Sequence, residues 1–88
     1  MPTPTLYVKN TCYFCRKVLD FAATHHIHLM IKDIVSEPTG PEELLRIGGK
    51  LQVPFLVDAR NGLSLYESDD IIDHLKRYYA HQSARISE

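Results

Sequence analysis

The first element shows in the spacing of apolar positions. Thr5-Leu6-Tyr7-Val8-Lys9 alternates β-branched and aromatic residues and predicts a strand, closed by Asn10-Thr11, two good helix caps. From Cys12 onward the period changes. Cys15, Val18, Leu19 and Ala22 fall three and four residues apart, with Arg16, Lys17 and Asp20 off their face, which predicts a helix ending near Thr24 to His26. Ile27 to Ile34 predicts a second strand, with Ile27, Leu29 and Ile31 alternating against His28, Met30 and Lys32. Strand, helix and strand in this order form a βαβ unit with parallel strands and a right-handed crossover.

The second half is built differently. Ser36-Glu37-Pro38-Thr39-Gly40 is turn-rich, and Pro41 with Glu42-Glu43 opens a short helix over Leu44, Leu45 and Ile47 that Gly48-Gly49 stops. Pro54 to Asp58 predicts a third strand, Asn61-Gly62 a hairpin turn, and Leu63 to Tyr66 the antiparallel return strand. Ser68 is expected to cap a last helix whose inward stripe is Ile71, Ile72, Leu75 and Tyr79, followed by a polar tail from about Gln82. The order is βαβαββα: an α/β protein with a four-stranded mixed sheet flanked by three helices, as a thioredoxin-like fold requires. Tyr7, Phe21, Phe55 and Tyr79 fall at core positions of these elements.

Composition narrows the partners more than the fold. Eighty-eight residues, 44% hydrophobic and 24% charged, suit one globular domain over residues 1–88. A net charge of −1 gives no field for nucleic acid or anionic membrane. No apolar run reaches a membrane span of roughly 18 residues, and Met1 to Thr5 lacks the features of a signal peptide. A cytoplasmic location is therefore expected.

The chemistry is in Thr11-Cys12-Tyr13-Phe14-Cys15-Arg16-Lys17. Two cysteines three apart cannot staple a scaffold, because their bridge would close a trivial loop. With Thr11 as N-cap, Cys12 lies in the first helical turn, where open backbone amides and the helix dipole favour a thiolate, helped by Lys9, Arg16 and Lys17. The spacing also allows a disulfide between the pair. Cys12, at the exposed helix end, is expected to be the nucleophile, and Cys15, on the apolar face, to resolve the mixed disulfide. A zinc half-site would need a second knuckle, and His25, His26, His28, His74 and His81 make no ligand pattern with the cysteines. Tyr13 and Phe14 differ from the other aromatics: a helix start beside a thiol exposes at least one of them, where they can pack on a ligand or target protein.

Val53-Pro54 opens the third strand. A cis bond there would turn the Val53 backbone outward toward an extended peptide; the sequence leaves cis and trans open.

Together, Lys9, the Cys12-Tyr13-Phe14-Cys15 motif, Gln52-Val53-Pro54 and Ser68-Asp69-Asp70, in this order, make the chain similar to the glutaredoxins over nearly its whole length. The resemblance implies a thioredoxin-like fold, a cis proline and glutathione as ligand, with Cys12 attacking disulfide-containing or glutathionylated proteins. It implies that Lys9 holds the glycine carboxylate, that the Val53 main chain pairs with the cysteine of glutathione, and that Ser68 and Asp69 take the γ-glutamyl end. The implied site comprises Lys9, Tyr13, Phe14, Gln52, Val53, Pro54, Glu67, Ser68 and Asp69.

Departures from the family are specific. Tyr13 and Phe14 stand where Pro and Tyr are common, Gln52 where Thr is, and Tyr66-Glu67 where Gly-Gly is. Glu67-Ser68 resembles instead the N-terminal domain of glutathione transferases, which also binds the γ-glutamyl group but precedes a helical domain for which 88 residues have no room.

The expected activity is that of a monomeric glutathione-dependent thiol-disulfide oxidoreductase. The alternative, from glutaredoxins that lack the active-site proline, is a dimer holding a [2Fe-2S] cluster through Cys12 and glutathione of each subunit. A reductant driven by a flavoprotein reductase is a third possibility, disfavoured by the carboxylate-binding set Lys9, Ser68 and Asp69.

Overall fold

The structure is a computed structural model and describes residues 3–80; the tail from Gln82 and His81 lie outside the described residues. The element order is β1 (Thr5–Val8), α1 (Tyr13–Thr24), β2 (Met30–Asp33), α2 (Gly40–Gly48), β3 (Phe55–Asp58), β4 (Leu63–Leu65) and α3 (Ser68–Leu75), whose chain continues into a π-helical turn, Lys76–Ala80. The four strands form one sheet in the order β2-β1-β3-β4. β1 and β2 are parallel, while β3 is antiparallel to both β1 and β4. This is the mixed, thioredoxin-like sheet that the pattern predicts.

Alternation in β1 sends Leu6 and Val8 to one face of the sheet and Tyr7 to the other. Leu6, Val8 and Leu56 meet Cys15 and Val18 of α1 and Ile71 and Leu75 of α3 in the larger core. Tyr7 and Phe55 meet Leu44 of α2 in the smaller one. Phe21 and Tyr79 are half-buried against the larger core, as expected of them.

Several boundaries move. β2 is shorter than predicted because only Met30 to Asp33 pair with β1. Ile27 and Leu29 still pack on the core, whereas Ile31, on this edge strand, is exposed. Leu45 and Ile47 of α2 are also exposed, leaving Leu44 as that helix's buried apolar anchor. The β3–β4 turn is a four-residue loop rather than a two-residue hairpin, since Asp58 pairs with Leu63; Gly62, at φ 68°, takes its left-handed position.

Helix α1 ends in a Schellman motif: the Ile27 amide donates to Ala22 O at 2.8 Å and the His26 amide to Ala23 O at 3.3 Å. The left-handed residue there is His26, at φ 57°, where glycine is usual. Helix α2 ends as the sequence implies, on Gly49 at φ 86° with its amide donated to Leu45 O. Among the described residues no helix is long and apolar enough to cross a membrane.

Candidate functional site

The cysteine pair sits where β1 gives way to α1. The N-cap of α1 is Cys12 itself, not Thr11. Cys12 is extended (φ −89°, ψ 118°), its own amide donates to Lys9 O at 3.0 Å, and its sulfur accepts the Cys15 amide at 3.2 Å. The sulfur thus takes the place of the oxygen that a serine or aspartate cap would supply, using one of the unpaired amides of the first turn. Both cysteines are free thiols.

The two sulfurs differ in environment. Cys15 is 1% exposed within the larger core, while Cys12 is half-buried at the surface. Burial first, and then its hydrogen-bonded and charged neighbour Cys12, push the Cys15 thiol up to about 12. The Cys12 sulfur lies 3.9 Å from Val53 O, so the cysteine turn and the start of β3 face each other. The Val53–Pro54 bond between them is cis.

Beside this junction is a cleft of about 330 Å³ lined by Phe14, Gln52, Val53, Pro54, Tyr66, Glu67, Ser68 and Asp69. Seven of the residues named from sequence therefore share one concavity, of a size at the lower end for small-molecule sites. Lys9 and Tyr13 are exposed and do not line it; Tyr13 is 72% exposed and packs edge-on against Phe14 at 5.3 Å.

Ser68 is not the cap of α3. Glu67 holds that position without a side-chain hydrogen bond, and Ser68 is the first helical residue, 8% exposed at the cleft wall.

Tyr66 and the pairing of Lys17 with Asp69 are site features that no sequence motif marks. The Tyr66 hydroxyl accepts the Lys50 amide at 3.0 Å and donates to Lys50 O at 2.8 Å, tying the segment before Gln52 to the chain before α3. Its ring stacks on Phe55 at 4.4 Å and lies over Gly48, where a Cβ would collide with the hydroxyl. Lys17 Nζ pairs with Asp69 Oδ1 at 2.8 Å across 52 positions of sequence, joining the cysteine helix to the cleft wall. Tyr66 was visible only as a departure from Gly-Gly, and the Lys17–Asp69 pairing had no local signal at all.

At the opposite end of β3 lies a second polar group. Asp58, fully buried, accepts from Asn61 Nδ2 at 2.7 Å and Tyr79 OH at 2.9 Å and pairs with His74 Nε2 at 2.7 Å. Burial alone would raise the Asp58 carboxyl, but its hydrogen bonds from Asn61, His74 and Tyr79 outweigh this and hold it below its usual value. Among the described residues no three His, Cys, Asp or Glu side chains gather where they could hold a metal ion.

Residues 6–83 match the family described as glutathione S-transferase, N-terminal domain. No curated protein matches the chain significantly. Among solved structures it is similar to a delta-class glutathione transferase of Nilaparvata lugens, at 31% identity and a TM-score of 0.69 over 86% of this chain and 36% of that one. The dehydroascorbate reductase of Chlamydomonas reinhardtii matches at 24% identity and TM-score 0.64, over 88% of this chain and 39% of that one. Wheat glutaredoxin matches at 20% identity and TM-score 0.68, over 93% of this chain and 77% of that one, which bears out the shared fold. The chain thus spans little more than a third of the transferase and the reductase. On the family match over nearly its whole length, the chain belongs to the glutathione S-transferase N-terminal domain family.

Proposed function

We propose that the protein is a glutathione-dependent thiol-disulfide oxidoreductase that acts through Cys12, and that its principal reaction removes glutathione from glutathionylated proteins. One observation carries this reading: the Cys12 sulfur caps α1, accepts the Cys15 amide at 3.2 Å, and lies beside the cleft formed by the start of β3 and the start of α3. The Cys15 amide and the open start of the helix both face this sulfur, which leaves it at the surface where a small thiol compound can meet it.

The steps balance with glutathione alone. The Cys12 thiolate attacks the glutathione sulfur of a protein–glutathione disulfide; that S–S bond breaks, Cys12 gains the glutathionyl group, and the protein thiolate leaves and takes a proton. A glutathione thiolate then attacks the glutathione sulfur of the Cys12 adduct, forming oxidised glutathione and returning the Cys12 thiolate. In sum, one protein–glutathione disulfide and one glutathione become one protein thiol and one oxidised glutathione.

The burial of Cys15 disfavours the alternative dithiol route. Burial, the largest cause, together with the hydrogen-bonded and charged Cys12 beside it, pushes the Cys15 thiol up to about 12, which keeps its thiolate scarce at neutral pH. Once Cys12 is a neutral mixed disulfide its charge no longer opposes Cys15 ionisation, but burial, the largest cause, remains. Reduction of protein disulfides through both cysteines is therefore the secondary activity. Family membership and the cleft support glutathione as the thiol. A [2Fe-2S] cluster would draw on Cys12 alone from each chain, and the burial of Cys15 fits that arrangement no better than it fits thiol exchange.

Turnover of a glutathionylated peptide by the single-cysteine variants tests the proposal. Cys12→Ser should lose all activity, and Cys15→Ser should keep most of it. Complete loss in Cys15→Ser would overturn the division of roles.

A further inference from the structure

We propose that Lys17 is a specificity-determining residue: paired with Asp69, it reads the free α-amino-acid end of a γ-glutamyl thiol. The inference rests on the reading of the cleft as a glutathione site and names a residue of that site outside its lining.

Phe14 and Lys17 are three apart on α1 and so share a face; Phe14 lines the cleft, and the ammonium of Lys17 reaches Asp69, which lines it too. The pair is open to solvent, its side chains 42% and 83% exposed, so a ligand can reach both charges. Asp69 Oδ2 has no hydrogen-bond partner among the described residues, and Lys17 spends one ammonium hydrogen on Oδ1, leaving two. Beside them Ser68 is more than nine-tenths buried, lines the cleft, and its hydroxyl makes no hydrogen bond with the described residues. The wall thus offers a cation, an anion and an unused hydroxyl at the start of a helix.

A γ-glutamyl group presents the complement. Because its peptide bond uses the side-chain carboxyl, a carboxylate and an ammonium remain on one carbon. Lys17 and the Ser68 hydroxyl suit the carboxylate; Asp69 suits the ammonium. A peptide linked through its α-carboxyl keeps the ammonium but has no carboxylate on that carbon. Asp69 alone cannot tell the two linkages apart, whereas the Lys17–Asp69 pair can.

The test compares S-methylglutathione with its α-linked isomer, S-methyl α-glutamyl-cysteinyl-glycine. The two have the same atoms and net charge, and neither can form a disulfide. Dissociation constants by calorimetry should favour the γ-linked isomer with the wild-type chain. In Lys17→Met that preference should shrink about 3- to 10-fold, and Lys17→Arg should retain it. If Lys17 only ties α1 to α3, Lys17→Met weakens both isomers equally and leaves the ratio unchanged, which would overturn the inference. If neither isomer binds the wild-type chain, the reading of the cleft as a glutathione site fails first, and this inference with it.

Discussion

The amide of Cys15 donates to the sulfur of Cys12 at 3.2 Å, so the backbone of one cysteine holds the sulfur proposed as the nucleophile. This contact does not need the Cys15 thiol. The sulfur of Cys15 lies in the core, 1% exposed and pushed up to about 12, while its main chain serves Cys12. Substituting the Cys15 side chain can therefore leave the hydrogen bond in place.

Selective alkylation follows from this difference. Iodoacetamide at pH 8 should modify one cysteine in the native protein, Cys12, and both only in denaturant. Peptide mass mapping reads the site. Early modification of Cys15 in the native state would contradict its burial.

Acid stability should depend on Asp58. Its folded-state value lies below the ordinary 3.8, so its contribution is fully present above about pH 4 and is lost as pH falls through the folded value. The unfolding free energy from urea titrations should fall below pH 4 more steeply for the wild type than for Asp58→Asn, which has no carboxyl to protonate. Asp58→Ala, which strands His74, Asn61 and Tyr79, should cost about 3–5 kcal/mol at pH 7.

These contacts show where sequence was informative and where it was not. The helical spacing of Cys15, Val18 and Ala22 and the alternation of Leu6, Tyr7 and Val8 are local signals that burial enforces, so the strand and helix order could be read directly. The cleft was legible because Gln52-Val53-Pro54 and Glu67-Ser68-Asp69 are recognisable motifs. Cys12 as its own cap was not, because cysteine is not among the usual capping residues and Thr11 beside it is. Lys17–Asp69 and Asp58–His74 join elements 52 and 16 residues apart, and only the assembled fold brings those charges together.

The left-handed cap of α1 offers a stabilising change. His26→Gly removes the cost of a side chain at φ 57° and should raise stability by roughly 0.5–1 kcal/mol, after the extra flexibility of glycine in the unfolded chain is offset. Chemical denaturation midpoints at an unchanged m-value would show it. A loss of stability would mean that the His26 side chain makes a compensating contribution.

Tyr66 should hold the approach to Val53. Tyr66→Phe removes both hydrogen bonds to Lys50, and Gly48→Ala forces the ring aside from below. The first should cost about 1 kcal/mol and speed hydrogen exchange at the Lys50 amide; the second should cost about 1–3 kcal/mol by overpacking. Unaltered exchange at Lys50 in Tyr66→Phe would remove Tyr66 from this role.

The most direct test of Cys12 as the glutathione-accepting sulfur is to treat the reduced Cys15→Ser protein with oxidised glutathione and map the product by peptide mass spectrometry. A single glutathione attached at Cys12, released again by added glutathione, is the expected result. An unmodified Cys12 under these conditions would contradict the account.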